Sequence, residues 1–146
     1  MEFRIETGLT AAKGFIEQVY EIDKITYDSE LCGQVKNLYK RYNVCKDSFL
    51  LLYDGDTLAG YMNFFPVGEA LYNQMTDRND KHMRDDDIAP EEIHDWSKTA
   101  PNNIFIISIA LRPEYRKNTA NSNNAVVMLT NAFLELLRKK NENGYK

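Results

Sequence analysis

Residues 103 to 140 read NIFIISIALRPEYRKNTANSNNAVVMLTNAFLELLRKK: an apolar run, a basic polar turn and an amphipathic run, in that order. Ile104 to Leu111 is too short for a good helix and lacks the alternation of a strand with one wet face, so it predicts a buried central strand. After the basic, Asn-rich turn of Arg112 to Asn124, the residues Val126, Leu129, Phe133, Leu136 and Leu137 recur at helical spacing. Ser122, Asn123 and Asn124 are candidate N-caps, with the apolar helical pattern starting at Ala125, while Arg138, Lys139 and Lys140 suit a C-terminal end. A helix N-terminus carries unpaired N–H groups and partial positive charge, and Arg112, Arg116 and Lys117 add full charges to its approach. Strand, turn and helix together predict an anion site.

The remaining chain fits around that unit. Its 146 residues are one domain's worth, and 43% apolar with 27% charged residues is ordinary for a globular protein. A net charge of −4 argues against general binding to nucleic acid or to an anionic membrane. No stretch reaches the length of a membrane span and Met1 to Leu9 is not a secretion signal, so a cytoplasmic location is expected. Cys32 and Cys45 are expected as reduced, partly buried thiols. Glu2 to Thr7 alternates as an edge strand would. Thr10 is a candidate cap for a first helix with the stripe Ala12, Phe15, Ile16, Val19 and Ile22; Ser29 is one for a second, with Leu31, Val35, Leu38 and Tyr42. Asp54-Gly55-Asp56 between the apolar runs Phe49 to Tyr53 and Leu58 to Phe65 predicts a hairpin, because Gly55 can take the positive φ that twisted antiparallel strands require.

Ser108 to Lys117, SIALRPEYRK, followed by an amphipathic helix, resembles the coenzyme-binding core of the GNAT superfamily, the acyl-CoA-dependent N-acyltransferases. The hairpin, Gly60-Tyr61 and the opening strand followed by two helices match the same order. The resemblance implies an α/β (α+β) fold with a mixed, mostly antiparallel sheet and flanking helices, acetyl-CoA as co-substrate, and transfer of its acetyl group to an amine of a small molecule or peptide. It implies coenzyme contacts from the backbone of Ile109 and Leu111 and from the turn Arg116, Lys117, Asn118, Thr119, Ala120 and Asn121. Arg116 takes the first position of the family's pyrophosphate pattern, Arg/Gln-x-x-Gly-x-Gly/Ala, while its two glycine positions fall on Thr119 and Asn121, so the turn is degenerate. The family's acceptor pocket is often shaped by the loop between the first two helices, which makes Tyr27 and Asp28 candidates. The family's later elements, a fifth strand, a helix and two further strands, have no counterpart after the long helix, so the C-terminal part of the fold is expected to be missing.

Two consequences concern chemistry and partners. Glu69 and Tyr72, just beyond the third strand, are the candidate catalytic residues, and backbone N–H near Leu111 would stabilise the oxyanion. The outer edge of the strand Ile104 to Leu111 would leave backbone groups unpaired, so a homodimer or a missing C-terminal segment is expected to cover it. Thr76 to Asn102 is a long polar insertion that could fold over the acceptor side as a lid anchored by Trp96, with a short helix started by Pro90. His82, Asp85, Asp86, Asp87 and His94 lack the spacing of a calcium loop or a zinc site, and no metal is expected. The alternative to a working N-acetyltransferase is a catalytically impaired GNAT-like module that binds coenzyme or a protein without turnover; a third reading is an interaction domain that recruits a partner by strand addition.

Overall fold

A computed structural model of the chain describes residues 2–29, 31–77, 88–116 and 119–146, with 119–123 by backbone alone. Its elements are β1 (Phe3–Thr7), α1 (Phe15–Thr26), α2 (Val35–Val44), β2 (Phe49–Asp54), β3 (Thr57–Val67), α3 (Glu69–Thr76), β4 (Asn103–Leu111) and α4 (Thr119–Glu142), with 3-10 turns at Pro90–Glu92 and Pro113–Tyr115. The strands lie in the order β1-β2-β3-β4, every neighbouring pair antiparallel. The α+β class expected from the sequence is therefore what forms, with no parallel pair among the described residues. Gly55 turns the β2–β3 hairpin at φ 60°.

Helices cover both faces of the sheet, and the period-2 alternation of β2 and β3 divides their side chains between them. Phe49, Leu51, Tyr53 and Tyr61 meet Phe15, Ile16, Val19 and Ile22 of α1 and Leu38 of α2. Leu50, Leu52, Met62 and Phe64 meet Ala125, Leu129 and Phe133 of α4. Each large apolar side chain so buried contributes roughly 1.5–3 kcal/mol.

Several expected boundaries move. The strand buried from its second residue onward is β3, whereas β4 is an edge strand with no second neighbour among the described residues; Ile106 and Ile109 are 41% and 43% exposed. An apolar run by itself does not say whether a strand lies inside or at the border of its sheet. Gly14 sits at φ 90° and delays α1 to Phe15, leaving Ala12 outside the stripe; Thr10 instead closes a turn, donating to Glu6 Oε2 at 2.6 Å and accepting from the Thr7 N–H at 2.9 Å. The Asp28 carbonyl accepts from the N–H groups of Leu31 and Cys32, making an isolated turn before α2 begins at Val35, so Ser29 is not the cap of α2. Helix α4 starts at Thr119, so Ser122, Asn123 and Asn124 lie within it instead of capping it; once a helix is nucleated, each added residue gains a bond, and the buried face of Ala125 and Leu129 secures the turns beyond. Val126 lies off that face, 43% exposed.

The segment after residue 87 wraps the end of β3. Ile88 and Ile93 pack with Phe65, Val67 and Leu71, and Val67 bridges Ile93, with the Pro90 turn between them as expected. Trp96 then crosses to the α4 face, against Phe64, and its indole N–H donates to the Asp47 carbonyl at 2.9 Å. Lys140 pairs with Asp47 at 2.7 Å beneath the rings of Trp96 and Tyr145. Trp96 thus anchors its end of the segment on the α4 face, while Arg41 of α2 donates to the Ile88 carbonyl at 3.4 Å at the other end; the first part of the expected lid lies outside the described residues.

At the β3–β4 crossing, a Cβ on Gly60 would lie 2.7 Å from the Ala110 carbonyl and 2.4 Å from Leu111 Cδ2. Gly60→Ala is expected to lower stability in urea titrations by about 1–3 kcal/mol through overpacking against backbone, whereas Gly68→Ala, with open space at its Cβ, changes it far less.

Candidate functional site

Helix α1 buries Phe15, Ile16, Val19, Ile22 and, on the same face, the carboxylate of Asp23, which is 5% exposed. The stripe is fixed by helical spacing, and Asp23 falls four residues after Val19. On the facing sheet, β3 turns Tyr61 and Asn63 inward, and Ser108 of β4 lies opposite Asn63. Between Asn63 and Phe64 the register shifts, leaving Ile107 unopposed. A bulge of this kind sends two successive side chains to one face, and here both Ile107 and Ser108 line the same cavity.

The polar groups form a chain. Tyr61 donates its hydroxyl to Asp23 Oδ1, Ser108 Oγ lies 2.8 Å from the Tyr61 oxygen, and the Tyr27 hydroxyl lies 2.7 Å from Ser108 Oγ. Because the Tyr61 proton goes to Asp23, the order is fixed from that end: Ser108 donates to Tyr61, and Tyr27 to Ser108. Burial, then the neighbouring Asp23 charge, pushes the Tyr61 phenol far above its ordinary value. The chain borders a cavity of about 200 Å³ between α1, the α1–α2 connection, α2 and the β3–β4 pair, whose apolar walls are Val19, Leu31, Leu38 and Ile107. Asn63, 5% exposed, lines it too, and its Oδ1 has no hydrogen-bond partner among the described residues.

Of the residues singled out from sequence, Tyr27 stands in this chain and also reaches the Ile109 carbonyl at 3.4 Å, whereas Asp28 is exposed. Leu111 packs against the α4 side while its carbonyl accepts from Arg116 Nε at 2.5 Å; Arg116 Nη2 donates to Thr26 Oγ1 at 2.6 Å. Arg112 donates through Nε to the Leu58 carbonyl at 2.6 Å and faces Glu21 at 3.7 Å. Both arginines thus tie the end of β4 to its neighbours. Lys117 and Asn118 lie outside the described residues, and Thr119, Ala120 and Asn121 form the first turn of α4. Glu69 and Tyr72 do not line the cavity: Glu69 is exposed on α3, and Tyr72 packs beside Phe65, Val67 and Leu71.

The residues missed from sequence are Asp23, Tyr61, Asn63 and Ser108. Two had a visible signal: Asp23 is a charge on an otherwise apolar helical stripe, and Asn63 interrupts an apolar strand.

No family model matches the sequence, and no curated protein matches it. His82 and Asp85 to Asp87 lie outside the described residues, and among the described ones no three His, Cys, Asp or Glu side chains are grouped as metal ligands would be. No helix among the described residues is long and apolar enough to cross a membrane. Cys32 is half-buried and Cys45 buried, and burial, with Asp95 nearby, drives the Cys45 thiol upward.

Two tyrosines make a contrast. Tyr61→Phe takes a donor from the buried Asp23 and is expected to cost about 1–3 kcal/mol, whereas Tyr53→Phe, removing a buried hydroxyl with no hydrogen-bond partner among the described residues, is expected to be neutral or stabilising in the same denaturation series. The Tyr61 phenol keeps its proton in the native state at a pH where the unfolded state releases it. Its contribution is therefore fully present below pH 10 and falls as the pH rises above it, and the loss should be smaller in Tyr61→Phe.

Proposed function

We propose that the chain is a GNAT-type acyltransferase that lays acyl-CoA along the free edge of β4 and passes the acetyl group to an amine held in the cavity of Asp23, Tyr61 and Ser108. The observation that carries this reading is the bulge at Ile107, which joins two sites: it turns Ser108 into the cavity, and from there β4 runs three residues, roughly 10 Å at strand rise, to the turn of Arg112 and Arg116 before α4. The antiparallel order of the strands and the two helices after β1 agree with the resemblance. Arg116 and Lys117, with the first N–H groups of α4, would take the pyrophosphate.

The chemistry asked of the protein is mostly positioning. The amine nitrogen attacks the thioester carbonyl, the C–N bond forms, the C–S bond breaks, and the sulfur leaves as thiolate to take up a proton. Backbone N–H groups of β4 stabilise the oxyanion.

A second reading has its own support. In the sequence Thr119 and Asn121 stand where the resemblance has glycine, so a module that holds coenzyme or a protein without turnover is the alternative. The open edge of β4 is in either case where a second copy or a further segment would add a strand.

Titration calorimetry with acetyl-CoA, on the wild type and on Arg116→Ala with Lys117→Ala, is expected to show saturable binding weakened at least tenfold in the double variant, checked for folding by circular dichroism. Thiol release with amines added would select the enzyme; binding without release would select the inert module. No heat at millimolar coenzyme would sink both.

A further inference from the structure

We infer that the cavity between α1, α2 and the β3–β4 pair takes a small primary ammonium ion on a short, unbranched apolar chain, with Asp23 and Asn63 receiving its N–H donors. The first ground is the direction of the hydrogen bonds. The Tyr61 proton points to Asp23, the Ser108 proton to Tyr61 and the Tyr27 proton to Ser108, so the hydroxyls spend their protons on one another and on the carboxylate. To these lone pairs the structure adds the carboxylate of Asp23 and the unpartnered Oδ1 of Asn63, both at residues 5% exposed and both lining the cavity. A buried acceptor without a donor is costly, and a ligand that brings donors removes the penalty. An ammonium group brings three.

Charge and size narrow the class. Among the described residues that line the cavity there is no Lys, Arg or His, and Asp23 is the one carboxylate, so a cation is favoured and a ligand carrying its own carboxylate or phosphate is disfavoured. An apolar cavity of about 150 Å³ admits benzene, so about 200 Å³ suits a ligand on the order of seven non-hydrogen atoms. Val19, Leu31, Leu38 and Ile107 give the chain of such an amine an apolar wall, and the volume is too small for a peptide segment.

That this amine is the acyl acceptor rests on the transferase reading above; that it binds does not. As an acceptor it would hand one ammonium proton to the Asp23 carboxylate, and the freed lone pair would form the C–N bond as the C–S bond breaks. A second nitrogen proton would end on the departing sulfur, giving the amide and the free thiol.

The test uses n-hexylamine against 1-hexanol, which differ in the charged donor but hardly in size. Amide chemical shifts of the folded wild-type chain are followed in titrations without coenzyme, and again in Asp23→Asn. Saturable shifts at Asn63 and Ser108 with the amine, with the alcohol at least tenfold weaker, are expected. The wild-type comparison holds even if Asp23→Asn fails to fold; where it folds, the amine should lose at least tenfold. Equal affinity for amine and alcohol, no saturable shift at those residues, or undiminished amine affinity in a folded Asp23→Asn would each overturn the inference. Amine binding with no response to acetyl-CoA would leave it standing and remove the transferase reading; coenzyme binding without amine binding would do the reverse.

Discussion

β3 can lie against β4 as it does because residue 60 has no side chain. The space a Cβ would need there is filled by the Leu111 side chain and by two backbone atoms, the Ala110 carbonyl oxygen at 2.7 Å and Leu111 Cα at 3.3 Å, which cannot swing aside as the end of a side chain could. From that crossing the ladder runs Tyr61 against Ala110, Met62 against Ile109 and Asn63 against Ser108. A slip of β3 by one residue would send Asn63 to the α4 face and set its amide against Leu129 and Phe133. The fit at Gly60 therefore decides which face of the sheet is polar as well as where the strands meet.

That polar face is maintained against an energetic gradient. The sheet is covered on both sides, and on the α4 side the buried residues are apolar almost throughout. On the other side Asp23, Tyr61, Asn63 and Ser108 gather within an apolar cluster that would pack as well with leucines of similar volume. Burying a carboxylate is unfavourable even when a phenol answers it, and an amide oxygen left alone adds a further cost of about 1–3 kcal/mol. Groups placed at such cost, beside a cavity and a strand bulge, are the usual mark of a site and not of a scaffold. The surrounding core offsets that cost, with Phe49, Phe15 and Tyr42 stacked edge to face beneath it.

Local chemistry made much of the fold legible. Asp54-Gly55 specified its hairpin through one positive φ, and the apolar spacing of Leu129, Phe133 and Leu136 specified the buried side of α4. What escaped depends on partners distant in sequence. Ile104 to Leu111 reads as interior by composition, yet its place at the edge follows from there being a partner on one side alone among the described residues. The cavity is built from residues 23, 61, 63 and 108, whose nearness is a property of strand register and of α1 crossing the sheet; no spacing in the chain announces it. Glu69 and Tyr72 follow β3 in sequence, but Glu69 is exposed on α3 and Tyr72 packs into the cluster of Phe65, Val67 and Leu71, so neither lines the cavity.

Tyr27 joins the cavity to the open edge, and it has one proton to give. Its hydroxyl is 2.7 Å from Ser108 Oγ, inside the cavity wall, and 3.4 Å from the carbonyl of Ile109 on β4. The shorter contact is the stronger, so the Tyr27 proton goes to Ser108. A group that approaches along β4 and supplies a donor to the Ile109 carbonyl reinforces that arrangement, whereas one that presses a lone pair toward Tyr27 competes with Ser108 for it. Losing the Tyr27 proton frees a lone pair on Ser108, and loosens the chain that ends at Asp23. A group along the strand that accepts from Tyr27 would thus alter how many acceptors the cavity presents through a single hydroxyl, whereas one that donates to Ile109 would not.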